Sequence, residues 1–206
     1  MEKTINTIDL DKLVIGRDIE NEIFKFIGSN FSQIAIFTQE KIKESSNKLI
    51  KNLTDKYKVE IFILDDGENS KNISSAIKSI SQLAQISADK ETLLIAYGGG
   101  TVSDHVGFVS SIFKRGIQYI NIPTTLIGMI DASIGGKTAL NIGNIKNQIG
   151  TFYQPAKIFI DLNTLKIMPP AIIEDGLGEM FKYTILKGED LFNEFKNYLK
   201  TKDYQL

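Results

Sequence analysis

Residues 92–104, TLLIAYGGGTVSD, join an apolar, β-branched run to three glycines and then to the start of a helical pattern. The order is strand, glycine turn, helix, which is the context that gives a glycine loop chemical meaning. Glycine lets the backbone approach a phosphate, and the N-terminus of the next helix offers free N–H groups and positive potential. The dinucleotide pattern G-x-G-x-x-G is incomplete, because Ser103 stands at the third glycine. Nor does an acidic residue end the following strand, IQYINIP (117–123). On these residues alone a cofactor cradle and a tight structural turn are equally good readings.

Working outward, QIAIFT (33–38), KVEIFIL (58–64) and AKIFID (156–161) have the same short, β-branched character and are read as strands. Helical spacing fills residues 40–55 and 70–88, where Ile73, Ala76, Ile77, Ile80 and Ala84 share one face and Ser70 is the expected N-cap. Such alternation predicts an α/β fold, a parallel sheet with helices on both faces. Ligands of these sheets bind at the C-terminal ends of strands. The informative loops are then DDGENSK (65–71), GGGTVSD (98–104) and NIPTT (121–125). Pro169-Pro170 opens a helix through Lys187, and GEDLFNEFKNYLK (188–200) forms another. Ahead of both helices, GMIDASIGGKTALNIGNIKNQIG (128–150) is rich in Gly and Asn and weakly periodic, and is expected to be a long functional loop.

Composition narrows the chemistry. The chain has no cysteine, so disulfides, thiolate metal sites and a cysteine nucleophile are excluded. A formal net charge of −1 gives no general attraction to nucleic acid or to an anionic membrane. The opening MEKTINTIDLDKL has no uninterrupted apolar core and is not read as a secretory signal. A cytoplasmic location is the expectation. SIGGKT (133–138) ends like a P-loop, but Asp131 stands where its first glycine belongs. What remains is a lysine on a glycine turn beside an aspartate. Arg115, Lys137, Lys146 and Lys182 sit among apolar or glycine-rich segments and together suggest a pocket for a multiply anionic small molecule. Glu179 and Lys182 share one helical face that reads as buried. The one histidine, His105, is more easily a packed or solvated side chain than a catalyst.

Taken in order, GGGTVSDHVGF, RG (115–116), IPTTLIGMIDASIGGKTALN, KNQIGTFYQP, IDLNTLKIMPP and GLGEMFK resemble the 3-dehydroquinate synthase family of sugar-phosphate cyclases, and DDGENSK matches its upstream motif. The resemblance covers roughly residues 10–190. It implies a Rossmann-like NAD-binding domain over residues 1–168 and the first helices of a metal- and substrate-binding domain over 169–206, here incomplete. The implied reaction converts 3-deoxy-arabino-heptulosonate 7-phosphate, a phosphorylated sugar acid, to 3-dehydroquinate and phosphate with transient use of NAD. A homodimer is implied for the full-length enzyme.

Position by position, the resemblance places Asp66, Gly67, Glu68, Asn69, Ser70 and Lys71 at the nucleotide. It places Gly100, Thr101, Val102, Ser103 and Asp104 at the pyrophosphate and nicotinamide side, with Thr124 and Thr125 also on the cofactor. Thr164, Leu165, Lys166 and Ile167 would close over the adenosine end. Lys137 and Lys146 would stand between cofactor and substrate, forming the catalytic group with Asp131. Arg115, Asp131, Lys137, Asn147 and Lys182 would bind substrate, and Glu179 would ligate a divalent metal, zinc or cobalt.

The chain departs from the family pattern at named places. The metal site of the family needs two further histidines, and His105 occupies a position that is commonly apolar there. Thr38-Gln39 stand where an acidic residue usually meets the adenosine ribose, and Ser103 replaces a frequent glycine. The expectation is a shortened synthase, inactive alone. The alternatives are a metal-dependent polyol dehydrogenase, a non-catalytic nucleotide-binding remnant, and a cyclase acting on another sugar phosphate.

Overall fold

The β-branched runs form strands because both faces of a parallel sheet must be covered by apolar side chains. A computed structural model describes residues 8–45 and 47–201. Its first half contains β1 (Ile8–Leu10), β2 (Leu13–Gly16), α1 (Glu20–Ile27), β3 (Gln33–Thr38), α2 (Glu40–Ser45), α3 (Asn47–Lys56), β4 (Val59–Ile63) and α4 (Ile73–Gln85). Next come β5 (Thr92–Gly98), α5 (Gly100–Ile112), β6 (Tyr119–Pro123), β7 (Lys137–Ile142), β8 (Ile145–Phe152) and β9 (Lys157–Asp161). The helices α6 (Thr164–Ile167), α7 (Pro170–Lys187) and α8 (Glu189–Thr201) complete the described chain.

Seven strands form one sheet in the order β1-β2-β9-β6-β5-β3-β4. Every neighbouring pair is parallel except β1 and β2. This is the Rossmann-like sheet with flanking helices that the strand–helix alternation implies. Side chains alternate between faces as the pleat requires. Ile34, Ile36, Leu93 and Ile95 pack with α1 and α3, whereas Ala35, Phe37, Leu94 and Ala96 pack with α4 and α5. The connection after β3 thus crosses one face, and the connection after β5 crosses the other. Their adjacent C-terminal ends part at that point, which opens the crevice where such sheets bind ligands.

Several local expectations change. Residues 128–150 are not a long loop: Gly128–Ala132 forms a π-helical turn, and β7 and β8 form an antiparallel hairpin. Its turn is built on Gly143, whose φ of +54° is left-handed. The N-cap of α4 is Asn72, whose side chain accepts from the Ser75 N–H at 2.9 Å, while Ser70 ends a 3₁₀ turn over Gly67–Ser70. The buried face of α4 is Ala76, Ser79 and Leu83, and Ile73 and Ile77 are exposed. The predicted strands and the helix from Pro170 to Lys187 are present.

The hairpin lies across α5, and this explains a glycine in mid-helix. A Cβ on Gly107 would sit 2.5 Å from Thr138 Cγ2 and 3.0 Å from the Tyr119 hydroxyl. Thr138 cannot move aside, being buried and hydrogen-bonded to Thr151. In an open helix Gly→Ala would stabilise; here Gly107→Ala is expected to destabilise by about 1–3 kcal/mol through overpacking. Gly135→Ala, where an added Cβ meets nothing within 4 Å, should stay within about 0.5 kcal/mol. Urea titrations of both variants check the contrast.

Candidate functional site

Gly98, Gly99 and Gly100 sit at the C-terminal end of β5, and their lack of a Cβ serves close packing first. A Cβ would lie 2.6 Å from Val102 Cγ2 at Gly98, 3.0 Å from Thr125 Cγ2 at Gly99, and 3.0 Å from Ala132 Cβ at Gly100. None of the three has a positive φ. The tight turn thus draws Thr125 and the π-helical turn against the start of α5. No side chain caps α5, since Gly99 holds the cap position. Val102 and Ser103 bond back to the Gly99 carbonyl at 3.0 and 3.1 Å. The 13-residue helix therefore presents an uncapped, partly positive end to the crevice.

One turn into α5, the partly buried Asp104 meets the buried Lys71 in an ion pair. Lys71 Nζ also donates to Asn147 Oδ1 at 2.7 Å. Burial pushes the Asp104 carboxyl above its usual range, and the Lys71 ammonium opposes that shift. This contact joins three segments distant in sequence: DDGENSK, α5 and the hairpin. Asn141 adds a second tie, donating to Glu68 Oε2 at 2.6 Å and accepting from the Asn147 N–H at 2.9 Å. A hollow of about 370 Å³ beside it is lined by Glu68, Asn69, Lys71, Asn141 and Lys146, among others. A second, of about 480 Å³, is lined by Asp104, Asp131, Lys137, Thr138, Asn147 and Phe152 with their neighbours.

Glu68, Asn69, Lys71, Asp104, Asp131, Lys137, Lys146 and Asn147 line these two hollows. Thr124 N bonds to the Gly98 carbonyl at 2.9 Å, and Thr125 packs on Gly99. Asp66 is paired with Lys41 at 3.3 Å on the exposed tip of its loop. Thr164–Ile167 is a single helical turn at the end of β9 and lines neither hollow. Arg115 lines neither hollow. It follows the C-terminus of α5, at the opposite end of that helix from Asp104, with φ +66°.

Glu179 and Lys182 pair with each other on α7, but the second half of this helix is not buried as its apolar residues suggest. Lys182 is 57% exposed, and Phe181, Ile185 and Leu186 are exposed beside it. Among the described residues no group of three or more His, Asp or Glu side chains, Glu179 included, could hold a metal ion. The residues present do not by themselves fit a divalent metal. Tyr183 on the same helix, which the sequence reading passed over, donates from its hydroxyl to Asp131 Oδ1 at 3.2 Å. Asn141 was also missed as a site residue, although the I-G-N turn between alternating apolar residues carries a hairpin signal.

His105 is fully buried beneath the Lys71–Asp104 pair. Its Nδ1 lies 2.9 Å from the Ser70 carbonyl, and its Nε2 lies 2.8 Å from Ser79 Oγ. It is a packed side chain, as its sequence context suggests, and it ties the DDGENSK loop to α4 and α5.

The sequence model of a family described as 3-dehydroquinate synthase N-terminal matches residues 61–175. The chain belongs to this family. The 3-dehydroquinate synthase of Sulfurisphaera tokodaii is 47% identical over 162 residues, covering 78% of this chain and 44% of that protein. The 3-dehydroquinate synthase of Prochlorococcus marinus (strain MIT 9515) is 41% identical over 184 residues, covering 84% of this chain and 51% of its own. The chain therefore spans about half the length of the curated relatives it matches. Among solved structures, 2-deoxy-scyllo-inosose synthase complexed with carbaglucose-6-phosphate, NAD+ and Co2+ superposes with a TM-score of 0.77 at 23% identity, over 86% of this chain and 51% of that one. An iron-containing alcohol dehydrogenase superposes at 0.68 with 16% identity, over 81% of this chain and 50% of that one. At these identities the two structures establish the fold that the 3-dehydroquinate synthase N-terminal family shares with its neighbours.

Burial of His105 has a measurable consequence. Desolvation lowers its pKa from 6.5 to about 4, against the Ser70 carbonyl, which favours the proton. The unfolded chain therefore binds this proton more readily, so stability is highest above pH 6.5 and falls as pH drops towards 4. The loss attributable to this group is about 3 kcal/mol. Asp104 and Asp161, both raised by burial, act in the opposite sense. Unfolding free energy measured against pH for the wild type and His105→Asn isolates the histidine. The variant should lack this part of the acid-side decline, and parallel curves would refute the assignment.

Proposed function

We propose that this chain is the NAD-binding half of a 3-dehydroquinate synthase that converts 3-deoxy-arabino-heptulosonate 7-phosphate to 3-dehydroquinate and phosphate. The observation that carries this reading is the meeting of Asp104, Asp131, Lys137 and Asn147 around one hollow beside the uncapped end of α5. Family membership supplies the reaction class. Residues 1–168 are the dinucleotide domain in this reading, and 169–206 open a helical domain. The alcohol dehydrogenase likeness concerns fold alone.

NAD, when bound, supplies a reversible hydride acceptor. The α5 N-terminus suits its pyrophosphate because uncapped N–H groups and the helix dipole both favour an anion. Lys71, held by Asp104 and Asn147, adds positive charge beside that end. Lys137 and Lys146 are exposed and make no ion pair among the described residues, so their charge is available to carboxylate or phosphate. Asp131, positioned by the Tyr183 hydroxyl, accepts from a sugar hydroxyl. Glu179 contributes one carboxylate to a zinc or cobalt site only in the whole protein, and no step is assigned to a metal from the residues described. A cytoplasmic homodimer is the assembly this reading implies.

The direct test measures phosphate release from the heptulosonate phosphate with NAD and zinc, using this chain and the product of its complete reading frame. Release by the latter supports the synthase. A protein that binds NAD yet never releases phosphate sinks it. In the active protein Lys137→Ala should lower turnover on the order of 10²-fold with an unchanged circular dichroism spectrum. Near-normal turnover would remove Lys137 from the site.

A further inference from the structure

The DDGENSK loop is exposed from Asp65 to Asn69, yet its last two residues, Ser70 and Lys71, are buried at 1% and 6% exposure. A buried backbone carbonyl needs a donor, and the one that reaches Ser70 comes from a side chain. The Ser70 carbonyl can only accept, so His105 Nδ1, 2.9 Å away, carries the hydrogen. Nε2 is then bare and accepts from the Ser79 hydroxyl at 2.8 Å. Donor direction is therefore fixed along the whole chain, from α4 through the imidazole to the loop. The next residue is Lys71, whose carbonyl accepts from the Asn141 N–H at 2.8 Å and whose ammonium meets Asp104 and Asn147.

We propose that His105, as the neutral Nδ1–H tautomer, is a positioning residue: it holds the Ser70 carbonyl, sets where Lys71 enters the crevice, and tunes NAD affinity without touching NAD. This rests on the NAD-binding reading above. Asp104 and His105 are adjacent in α5, so one helical turn grips the loop twice, once at the Lys71 ammonium and once at the Ser70 backbone.

Three substitutions separate positioning from packing. In His105→Asn the amide nitrogen lies two bonds beyond Cβ, as Nδ1 does, and can still donate to Ser70. In His105→Gln it lies three bonds beyond, as Nε2 does, and reaches towards Ser79. His105→Leu fills space and makes neither bond. NAD dissociation constants are to be measured by calorimetry on the 206-residue chain, at a temperature where melting curves show every variant folded. Leu and Gln are expected to weaken NAD binding roughly tenfold, about 1.4 kcal/mol, and Asn to restore affinity to within about threefold of the wild type, about 0.7 kcal/mol. Amide exchange at Asn141, whose N–H bonds to Lys71, should accelerate in Leu and Gln only. Wild-type affinity in Leu and Gln, or a loss in Asn equal to that in Leu, overturns the positioning role and leaves the cofactor reading intact. Absence of saturable NAD binding by the wild type overturns both.

Discussion

The buried contact between Lys71 and Asp104 is the constraint on which the rest of the site depends. Two opposite charges withdrawn from water are tolerable only while each keeps the other and its remaining hydrogen-bond capacity is met. Asn147 meets part of it for Lys71. Removing Asp104 would leave the buried Lys71 ammonium with Asn147 as its one polar side-chain partner, a costly arrangement. The pair therefore does more than decorate a crevice. It forces the loop after β4, the first turn of α5 and the far strand of the hairpin to occupy one place. Residues 71, 104 and 147 have no local reason to meet.

Close packing makes that meeting possible. The hairpin reaches Lys71 only because α5 lets it lie flat, with Gly107 opposite Thr138 and with Gly150 so near the Thr138 carbonyl that a Cβ would fall 2.0 Å from it. The turn at Gly98, Gly99 and Gly100 works in the same way on the other side, admitting Val102, Thr125 and Ala132. These glycines are thus spent on steric approach within the protein. Their service to a phosphate follows from what the approach leaves behind, a helix end with no side chain over it.

Much of the fold was legible because a parallel sheet buried on both faces must be written in β-branched runs, and QIAIFT and TLLIAYG become β3 and β5 over the expected residues. The failures share a cause: contact with elements remote in sequence. IKNQIGTF reads as loop because its side chains are mostly exposed, so alternation has little to show, yet it pairs along β7. Ile73 and Ile77 look like a core face, whereas Ser79 occupies the buried side of α4 because His105 needs its hydroxyl. Ser70 looks like a cap, but its carbonyl is committed to His105 and Asn72 caps instead. The candidate site residues were proposed from the joint order of motifs, and that order does not say which end of α5 Arg115 reaches.

The cations of the site divide by what already holds them. Lys71 is immobilised by Asp104 and Asn147, and its charge is partly neutralised before any ligand arrives. Lys137 and Lys146 stand exposed at the start of β7 and near the start of β8. A lysine held in this way contributes shape and a fixed donor, and a free one contributes net attraction that salt can screen. The carboxylates Asp104 and Asp131 share the same hollow with Lys137. A pocket of lysines alone would take any polyanion. Mixing in carboxylates penalises a ligand that is anionic throughout and favours one that alternates anionic groups with hydroxyls. With a chain of net charge −1, discrimination of that kind has to arise locally, and the pinned loop, helix end and hairpin are what hold it in one place.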